Sequence, residues 1–311
     1  MKHTPSSSLT ALVTPTPWEG LKNFTDARIA LGRAGVSLPT AAHLAFQLAH
    51  AQARDAVHLP LDSCGITRAL QDQGLAVLPL HSQATDRTTY LQRPDLGRRL
   101  DARSLQALAQ WPHPAAGRSE SAAIMPDSSS TTPAYDLALV LVDGLSARAI
   151  HDNAVALVGQ LLDRLKADAQ PPWHIAPLTV VEQGRVAIGD EVGEQLRAKL
   201  VVVLIGERPG LSSPDSMGLY ITWAPKVGTL DAARNCISNV RPAGLSVDAA
   251  AKTLHHLLSQ ARQKQLTGVE LKDDVDQHTD MLTSLGIRPL PSRGGKITND
   301  LIDRLPDAEG I

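Results

Sequence analysis

An uninterrupted apolar run at positions 200–205 (LVVVLI) constrains the fold of this chain more than any other feature. Short runs of β-branched residues are typical of strands that are buried on both faces of a parallel sheet. The glycines and proline of residues 206–211 (GERPGL) end the strand and hold Glu207 on a tight loop at its carboxyl end. Ligands bind at that edge of open α/β sheets, so Glu207 is the first candidate binding residue.

From residue 135 onward, strand-like and helix-like patterns alternate along the chain. Residues 137–142 predict a buried strand, residues 147–168 carry apolar side chains at helical spacing, and Ser246 is expected to cap a long helix that ends near Gln263. Such alternation implies a mainly parallel sheet. Four shorter elements are also predicted here: a hairpin of residues 179–181 and 185–188, a helix at 190–199, an apolar segment at 217–223 and a turn at 236–239.

The part of the chain before the sheet has a helical pattern. Leu44 and Leu48 recur at helical spacing after a start at residues 39–40. Pro94 is expected to begin another helix, because its missing N–H does no harm in a first turn. The predicted fold is therefore α/β, with a mainly parallel sheet domain preceded by a mostly helical N-terminal region.

Composition changes along the chain predict its domain boundaries. The N-terminus is rich in Ser, Thr and Pro, a second segment lacks large apolar residues, and the C-terminus loses its periodicity. The predicted segments are a disordered arm (1–20), a mostly helical region (21–112), a linker (113–134), the sheet domain (135–270) and a C-terminal extension (271–311).

Charge and cysteine content narrow the functional classes. A net charge of −2 argues against a nucleic-acid-binding protein, which usually carries a basic excess. No apolar run approaches the roughly 20 residues that a membrane helix needs. Cys64 and Cys236 lie far apart, with no zinc-binding spacing, so a reducing cytoplasmic setting and no protein-bound metal are expected. Dinucleotide and phosphate-loop fingerprints are not found.

Glu207 and Cys236 each have a functional and a structural interpretation. Glu207 is either an acceptor for the amide or hydroxyl groups of a ligand, or a solvated loop acid paired with Arg208. Cys236 is either a nucleophile or a small buried residue that lines a pocket or the core; no His/Asn pairing supports the nucleophile.

Two further clusters leave alternatives open. Asp143 and Ser146, after the strand at 137–142, either contact a ligand or cap the next helix. Arg93, Arg98 and Arg99 either bind an anion or the acids of a partner, or form ion pairs on the surface. No complete catalytic set can be assembled from the sequence, which favours a chain that is one subunit of a shared active site.

Several long motifs occur in an order that resembles the small (light) subunit of ethanolamine ammonia-lyase. The resemblance covers roughly residues 25–270 and is specific because the motifs are unusual and in register. The motifs are residues 32–35 (GRAG), 90–100 (YLQRPDLGRRL), 143–146 (DGLS), 184–186 (GRV), 206–211 (GERPGL) and 236–239 (CISN).

This resemblance implies a function and a cofactor site. The family's enzyme uses adenosylcobalamin to convert ethanolamine to acetaldehyde and ammonia, and its large subunit, a TIM barrel, binds the substrate. Hexamers of large–small pairs are the family's assembly, and the resemblance implies that the sheet domain of this chain is Rossmann-like. By resemblance, Val186, Glu207 and Cys236 contact the cobalamin, which keeps its own base on cobalt; no catalytic or metal-ligating residue is expected in this chain.

Localisation and two other functions complete the hypotheses. Family members associated with bacterial microcompartments often begin with an amphipathic targeting helix, and residues 1–20 lack that pattern, which favours a free cytoplasmic complex. The alternatives are a non-catalytic cobalamin-binding or scaffold module and a nucleotide-dependent oxidoreductase. The missing glycine fingerprint counts against the oxidoreductase.

Overall fold

The computed structural model describes residues 12–112, 133–168 and 171–271. Most of the predicted arm and linker, and nearly all of the predicted C-terminal extension, lie outside the described residues. Before residue 113 the chain forms α1 (Thr40–His58), α2 (Ser63–Gln71), β1 (Val77–His81), α3 (Arg87–Gln92) and α4 (Ala102–Gln110), with short 3₁₀ helices at Glu19–Phe24 and Leu96–Arg98. It continues with β2 (Tyr135–Val142), α5 (Ala147–Ala167), β3 (Leu178–Glu182), α6 (Ile188–Gln195), β4 (Ala198–Gly206), β5 (Met217–Trp223), β6 (Arg234–Val240) and α7 (Val247–Lys264), with a 3₁₀ helix at Asp231–Ala233.

All six strands belong to one sheet, in the order β1-β3-β2-β4-β5-β6. The first four strands are parallel, β5 runs antiparallel to β4, and β6 runs antiparallel to β5. The predicted α/β class and the mainly parallel sheet are therefore confirmed. The N-terminal region is mostly helical as predicted, but it also contributes β1 to the sheet, and the division into domains stays a prediction.

Helices cover the parallel strands on both faces. One core packs α2, α5 and α7 against side chains such as Leu139 and Leu141 of β2. A second core packs α4 and α6 against the alternate side chains, including Ala138 and Val140. Every residue of β2 is buried, which explains why residues 137–142 are a continuous apolar run rather than an alternating one.

The chain leaves β2 and β3 toward opposite faces of the sheet. From β2 it enters α5, which packs in the first core, and from β3 it enters α6, which packs in the second. Neighbouring strands whose connections diverge in this way leave a crevice at their carboxyl ends, where α/β proteins commonly bind ligands. Here the residues that follow these strands, Asp143 and Gln183, meet in that crevice.

One predicted element around β3 is wrong, and another is confirmed with different bounds. The hairpin predicted at 179–181 and 185–188 is a single strand followed by a turn and α6. The helix predicted at 190–199 is α6, which begins at Ile188 and ends at Gln195. Residues 185–188 alternate like a strand, but the buried side chains Ile188 and Val192 follow helical spacing. Gly184 is required at the turn, since a Cβ there would lie 2.5 Å from Val142 Cγ1.

The predicted turn at 236–239 is also wrong, because these residues lie in β6. Small polar side chains resemble a turn, yet the backbone pairs with β5, with Cys236 opposite Tyr220. Pro94 likewise lies in a turn and does not begin a helix; α4 begins at Ala102, capped by Asp101. By contrast, the helix capped by Ser246 is confirmed.

Candidate functional site

Glu207 follows β4 directly, at the strand end predicted for it. Its carboxylate accepts hydrogen bonds from Ser216 Oγ at 2.5 Å, Ser238 Oγ at 2.6 Å and the Asn239 backbone N–H at 3.3 Å. Within the described residues it forms no ion pair with Arg208. The interpretation as a solvated acid paired with Arg208 is therefore wrong, and the carboxylate is held in one orientation by β6 and the end of the β4–β5 loop.

An irregularity in β6 brings the partners of Glu207 into place. The register between β5 and β6 shifts between Met217 and Leu219, so that Ser238 and Asn239 both stand opposite Gly218. Asn239 has a φ of +61°, the left-handed conformation of a bulge residue. Bulges re-aim side chains next to functional sites, and this bulge directs Ser238 Oγ and the Asn239 N–H at the carboxylate.

Gly218 makes room for the carboxylate on the sheet. A Cβ at this position would lie 2.9 Å from Glu207 Oε1 and 3.2 Å from a ring carbon of Tyr220. Any larger residue would therefore push the Glu207 side chain away from β5. The glycine lets the carboxylate lie flat against the strand beside the Tyr220 ring.

Cys236 contacts Tyr220 across β5 and β6. The two residues are paired in the sheet, so that their side chains project from the same face. Partial withdrawal from water raises the pKa of the Cys236 thiol, the Tyr220 hydrogen bond opposes this, and the Glu207 carboxylate raises it further. Cys236 is exposed, so its interpretation as a small buried residue is wrong, and its raised pKa makes it a poor nucleophile.

Val186 lies at the edge of a cavity of about 340 Å³ that is open to one side. The Val186 side chain is half-buried against the second core. Tyr220 packs against the same core and lines the same cavity. Tyr220 thus connects Val186 with Glu207 and Cys236, and all three predicted residues lie around it. Arg98 and the exposed Leu230 also line this cavity.

Asp143 fixes the turn that carries Val186. Its two carboxylate oxygens accept the backbone N–H groups of Gln183 at 3.0 Å and Gly184 at 3.1 Å. Burial raises its pKa to about 6, although Arg87 and these N–H groups favour the charged form. The Asp143 carboxylate therefore binds backbone N–H groups of its own chain. Ser146 is the residue that caps the next helix, since its hydroxyl accepts the Ala149 N–H at 3.3 Å.

Tyr90 braces the same turn from the N-terminal region. Its hydroxyl donates to the Gly184 carbonyl at 3.1 Å, and its ring lies between the guanidinium groups of Arg87 and Arg185, at 4.7 and 4.1 Å from the ring centroid. Cations stack favourably on aromatic faces, the more so when desolvated. A Cβ on Gly97 would lie 3.1 Å from the Tyr90 ring, so this glycine permits the close packing.

The three arginines of the 90–100 motif have different surroundings. Arg93 pairs with Asp95 at 2.7 Å on the surface, and Arg99 pairs with the buried Glu191 at 2.7 Å. The ion-pair interpretation holds for these two. Arg98 lines the cavity, where it supplies positive charge next to Val186.

These residues form the candidate ligand-binding surface, which lies at the carboxyl end of β4 and on the adjoining face of β5 and β6. It offers a fixed carboxylate acceptor, hydroxyl groups, a cavity and an arginine. Tyr220, Ser238 and Asn239 were missed by sequence reasoning, although the alternation of residues 217–223 gave a signal for Tyr220. No cluster of three or more His, Cys, Asp or Glu side chains that could hold a metal ion occurs among the described residues.

Comparison with known proteins identifies the family. The model of the family described as ethanolamine ammonia-lyase light chain (EutC) matches residues 15–272. The chain belongs to the ethanolamine ammonia-lyase light chain family. The predicted resemblance is thereby confirmed, and it extends from the residues before α1 to the end of the described chain.

Curated relatives agree over most of their length. The chain is 56% identical to the ethanolamine ammonia-lyase small subunit of Ralstonia nicotianae over 266 residues, which cover 86% of this chain and 92% of that protein. It is 55% identical over 263 residues to the small subunit of Azotobacter vinelandii, covering 85% and 90%. The small subunit of Xanthomonas campestris pv. campestris is 54% identical over 264 residues, covering 84% and 89%. Among the described residues, no helix is long and apolar enough to cross a membrane.

Proposed function

We propose that this chain is the small subunit of an adenosylcobalamin-dependent ethanolamine ammonia-lyase, which converts ethanolamine to acetaldehyde and ammonia together with a large subunit. Family membership over residues 15–272 is the observation that carries this proposal. The assembly is a hexamer of large–small pairs in the cytoplasm, and the sheet domain is Rossmann-like.

The residues around Tyr220 fit the periphery of a cobalamin. A corrin ring carries side chains that end in amides, and these need acceptors such as the Glu207 carboxylate. Ser238 and Asn239, which bond the carboxylate here, are exposed, so a ligand amide can approach from the same side. Gly218 keeps that side free of a side chain, and Cys236 is small enough to allow close approach.

Each residue has a distinct role in this site. Glu207 accepts hydrogen bonds from ligand amides, Val186 supplies an apolar wall and backbone polar groups, and Cys236 is a contact residue. When bound, adenosylcobalamin supplies the radical chemistry through homolysis of its cobalt–carbon bond. This chain orients the cofactor and leaves its cobalt unligated, while the large subunit holds the substrate.

Reconstitution tests the function. The purified chain is mixed with the large subunit, adenosylcobalamin and ethanolamine, and ammonia release is measured with each component omitted in turn. We expect release only when all four are present. Full activity without this chain would overturn the proposal, and cobalamin binding by the chain without any lyase activity of the mixture would favour a scaffold module instead.

The role of Glu207 is tested by cobalamin affinity in the assembled complex. Glu207→Ala removes an ionised acceptor, and we expect it to weaken binding by about 1–3 kcal/mol, as for other hydrogen bonds to charged groups. Asp152→Ala, which removes an exposed carboxylate from α5 on the other face of the sheet, is the matched control. Equal affinities of the two variants would exclude Glu207 from the site.

A further inference from the structure

Exposed apolar side chains are concentrated in the N-terminal part of the molecule. Of the fifteen large apolar residues that are exposed in the described chain, twelve lie between Leu12 and Leu59. Scattered exposed apolar residues are normal, but a concentration of them marks an interaction site. We call the exposed apolar side chains of residues 12–59 the N-terminal apolar surface.

The part of this surface that includes Leu44 and Leu48 is also free of charged residues. Residues 34–53 contain no Asp, Glu, Lys or Arg. Charged residues cover most protein surfaces that stay in water, whereas they are depleted in the cores of protein–protein interfaces. The composition of these residues is therefore that of a surface to be covered by another protein.

Helix α1 exposes apolar side chains that helices normally bury. It has nineteen residues, of which only Ala49 and Ala56 are buried. Leu44 and Leu48, one turn apart, are 61% and 59% exposed. Most helical stability in proteins comes from packing an apolar face, and the described part of the chain leaves this leucine stripe without cover.

The N-terminal apolar surface borders the candidate cofactor site. Arg28 Nη2 donates to the Leu211 carbonyl at 3.1 Å, at the end of the loop that begins with Glu207. The same guanidinium lies over the Phe46 ring of α1, 5.8 Å from its centroid. One partner can therefore contact α1 and reach the loop that carries Glu207.

We propose that the N-terminal apolar surface is the docking site for the large subunit. This inference rests on the proposed function and deepens it by assigning the surface that joins the two chains. Because Arg28 connects this surface to the loop that begins with Glu207, its expected occupant is the chain that completes the shared cofactor site rather than a second copy of this chain. The large subunit would cover the leucine stripe and the site together.

Two charges on the leucine stripe test the proposal. In Leu44→Glu/Leu48→Glu, we expect affinity for the large subunit to fall about a hundredfold or more, as when two central interface residues are lost. Ala156→Glu/Gln160→Glu places two glutamates with the same spacing on the exposed side of α5 and is the matched control. Affinities are measured by biolayer interferometry with the wild-type large subunit, and circular dichroism checks that the variants are folded.

The outcomes separate this inference from the proposed function. If the wild-type chain does not bind the large subunit, the proposed function fails. If the wild type and the stripe variant bind it equally well, the docking site is overturned and the proposed function stands. Loss of self-association in the stripe variant, with unchanged affinity for the large subunit, would assign the surface to a second copy and also overturn the inference.

Hydrogen exchange on the unmodified chain gives an independent readout that does not depend on the folding of a variant. We expect the amides of α1 to be strongly protected when the large subunit is added, because covering the stripe suppresses local opening of the helix. Helix α5, on which the control substitutions lie, should gain no comparable protection. If the large subunit did not change the exchange rates of the α1 amides, the docking site would be overturned.

Discussion

The two halves of the sheet differ in their helix cover. The parallel half, β1 to β4, has helices on both faces, and all eight residues of β2 are buried. In β6 only Arg234, Ile237 and Val240 are buried, because α7 covers one face while much of the other is open. The candidate site lies on that open face. Apolar packing encloses the first half of the sheet, whereas partial cover leaves the second half with the open face on which we propose that the cofactor binds.

Two carboxylates at neighbouring strand ends illustrate the same difference. Asp143 follows β2 in the covered half, is fully enclosed, and bonds the backbone of its own chain. Glu207 follows β4 where the cover ends, and two of its partners, Ser238 and Asn239, are exposed. Position at a strand end is thus not sufficient for ligand binding, since the chain must also leave the carboxylate accessible.

The largest expected effect is on stability, and it concerns an ion pair that joins the two halves of the sheet. Arg234 of β6 forms a bidentate ion pair with Asp190 of α6 at 2.6 and 2.7 Å, and both side chains are almost fully buried. Arg234→Met leaves an uncompensated buried carboxylate, and we expect it to lower the free energy of unfolding by about 3–5 kcal/mol. Urea denaturation measures the change.

The paired substitution distinguishes a lost partner from lost packing. Asp190→Leu combined with Arg234→Met removes both charges, and most of the stability should return because well-packed apolar residues replace buried ion pairs at little cost. A double variant as unstable as Arg234→Met alone would contradict this explanation. It would mean that the loss of Arg234 packing, and not the unpaired Asp190 carboxylate, destabilises the protein.

A smaller effect tests the enclosed carboxylate. Because burial raises the pKa of Asp143 to about 6 from its ordinary 3.8, the folded chain binds this proton more tightly than the unfolded chain. Stability should therefore fall as the pH rises from about 4 to about 6, by roughly 3 kcal/mol for this group. Asp143→Asn removes the contribution. The measurement is the difference in melting temperature between wild type and variant from pH 4 to pH 7, and a constant difference would contradict the expectation.

The smallest effect concerns the open half and involves no loss of stability. Cys236 is exposed and has a raised pKa, so its alkylation by iodoacetamide should speed up with pH into the alkaline range. In the assembled complex, added cobalamin should slow alkylation of Cys236 several-fold and leave the other cysteine, Cys64, unchanged. Mass spectrometry distinguishes the two sites, and equal rates at Cys236 with and without cobalamin would remove it from the proposed site.

Sequence patterns predicted the elements that are set by local rules. The apolar runs at 137–142 and 200–205 are strands buried on both faces, and Ser246 caps α7 because its hydroxyl bonds the Ala249 N–H. The hairpin at 179–188 and the turn at 236–239 were wrong for a common reason. Their short patterns fit more than one structure, and packing against α6 and pairing with β5 decided between them.

By itself, the sequence determined the α/β class, the family and the strand end that carries Glu207, since apolar periodicity and long motifs are encoded locally. Only the tertiary structure decided that β1 joins the sheet, that Asp143 serves the backbone, and that Val186, Glu207 and Cys236 meet around Tyr220. These facts depend on contacts between residues far apart in the chain. Such contacts follow from the order of the strands and from the faces that the helices cover. Neither of these can be predicted from a single segment of the sequence.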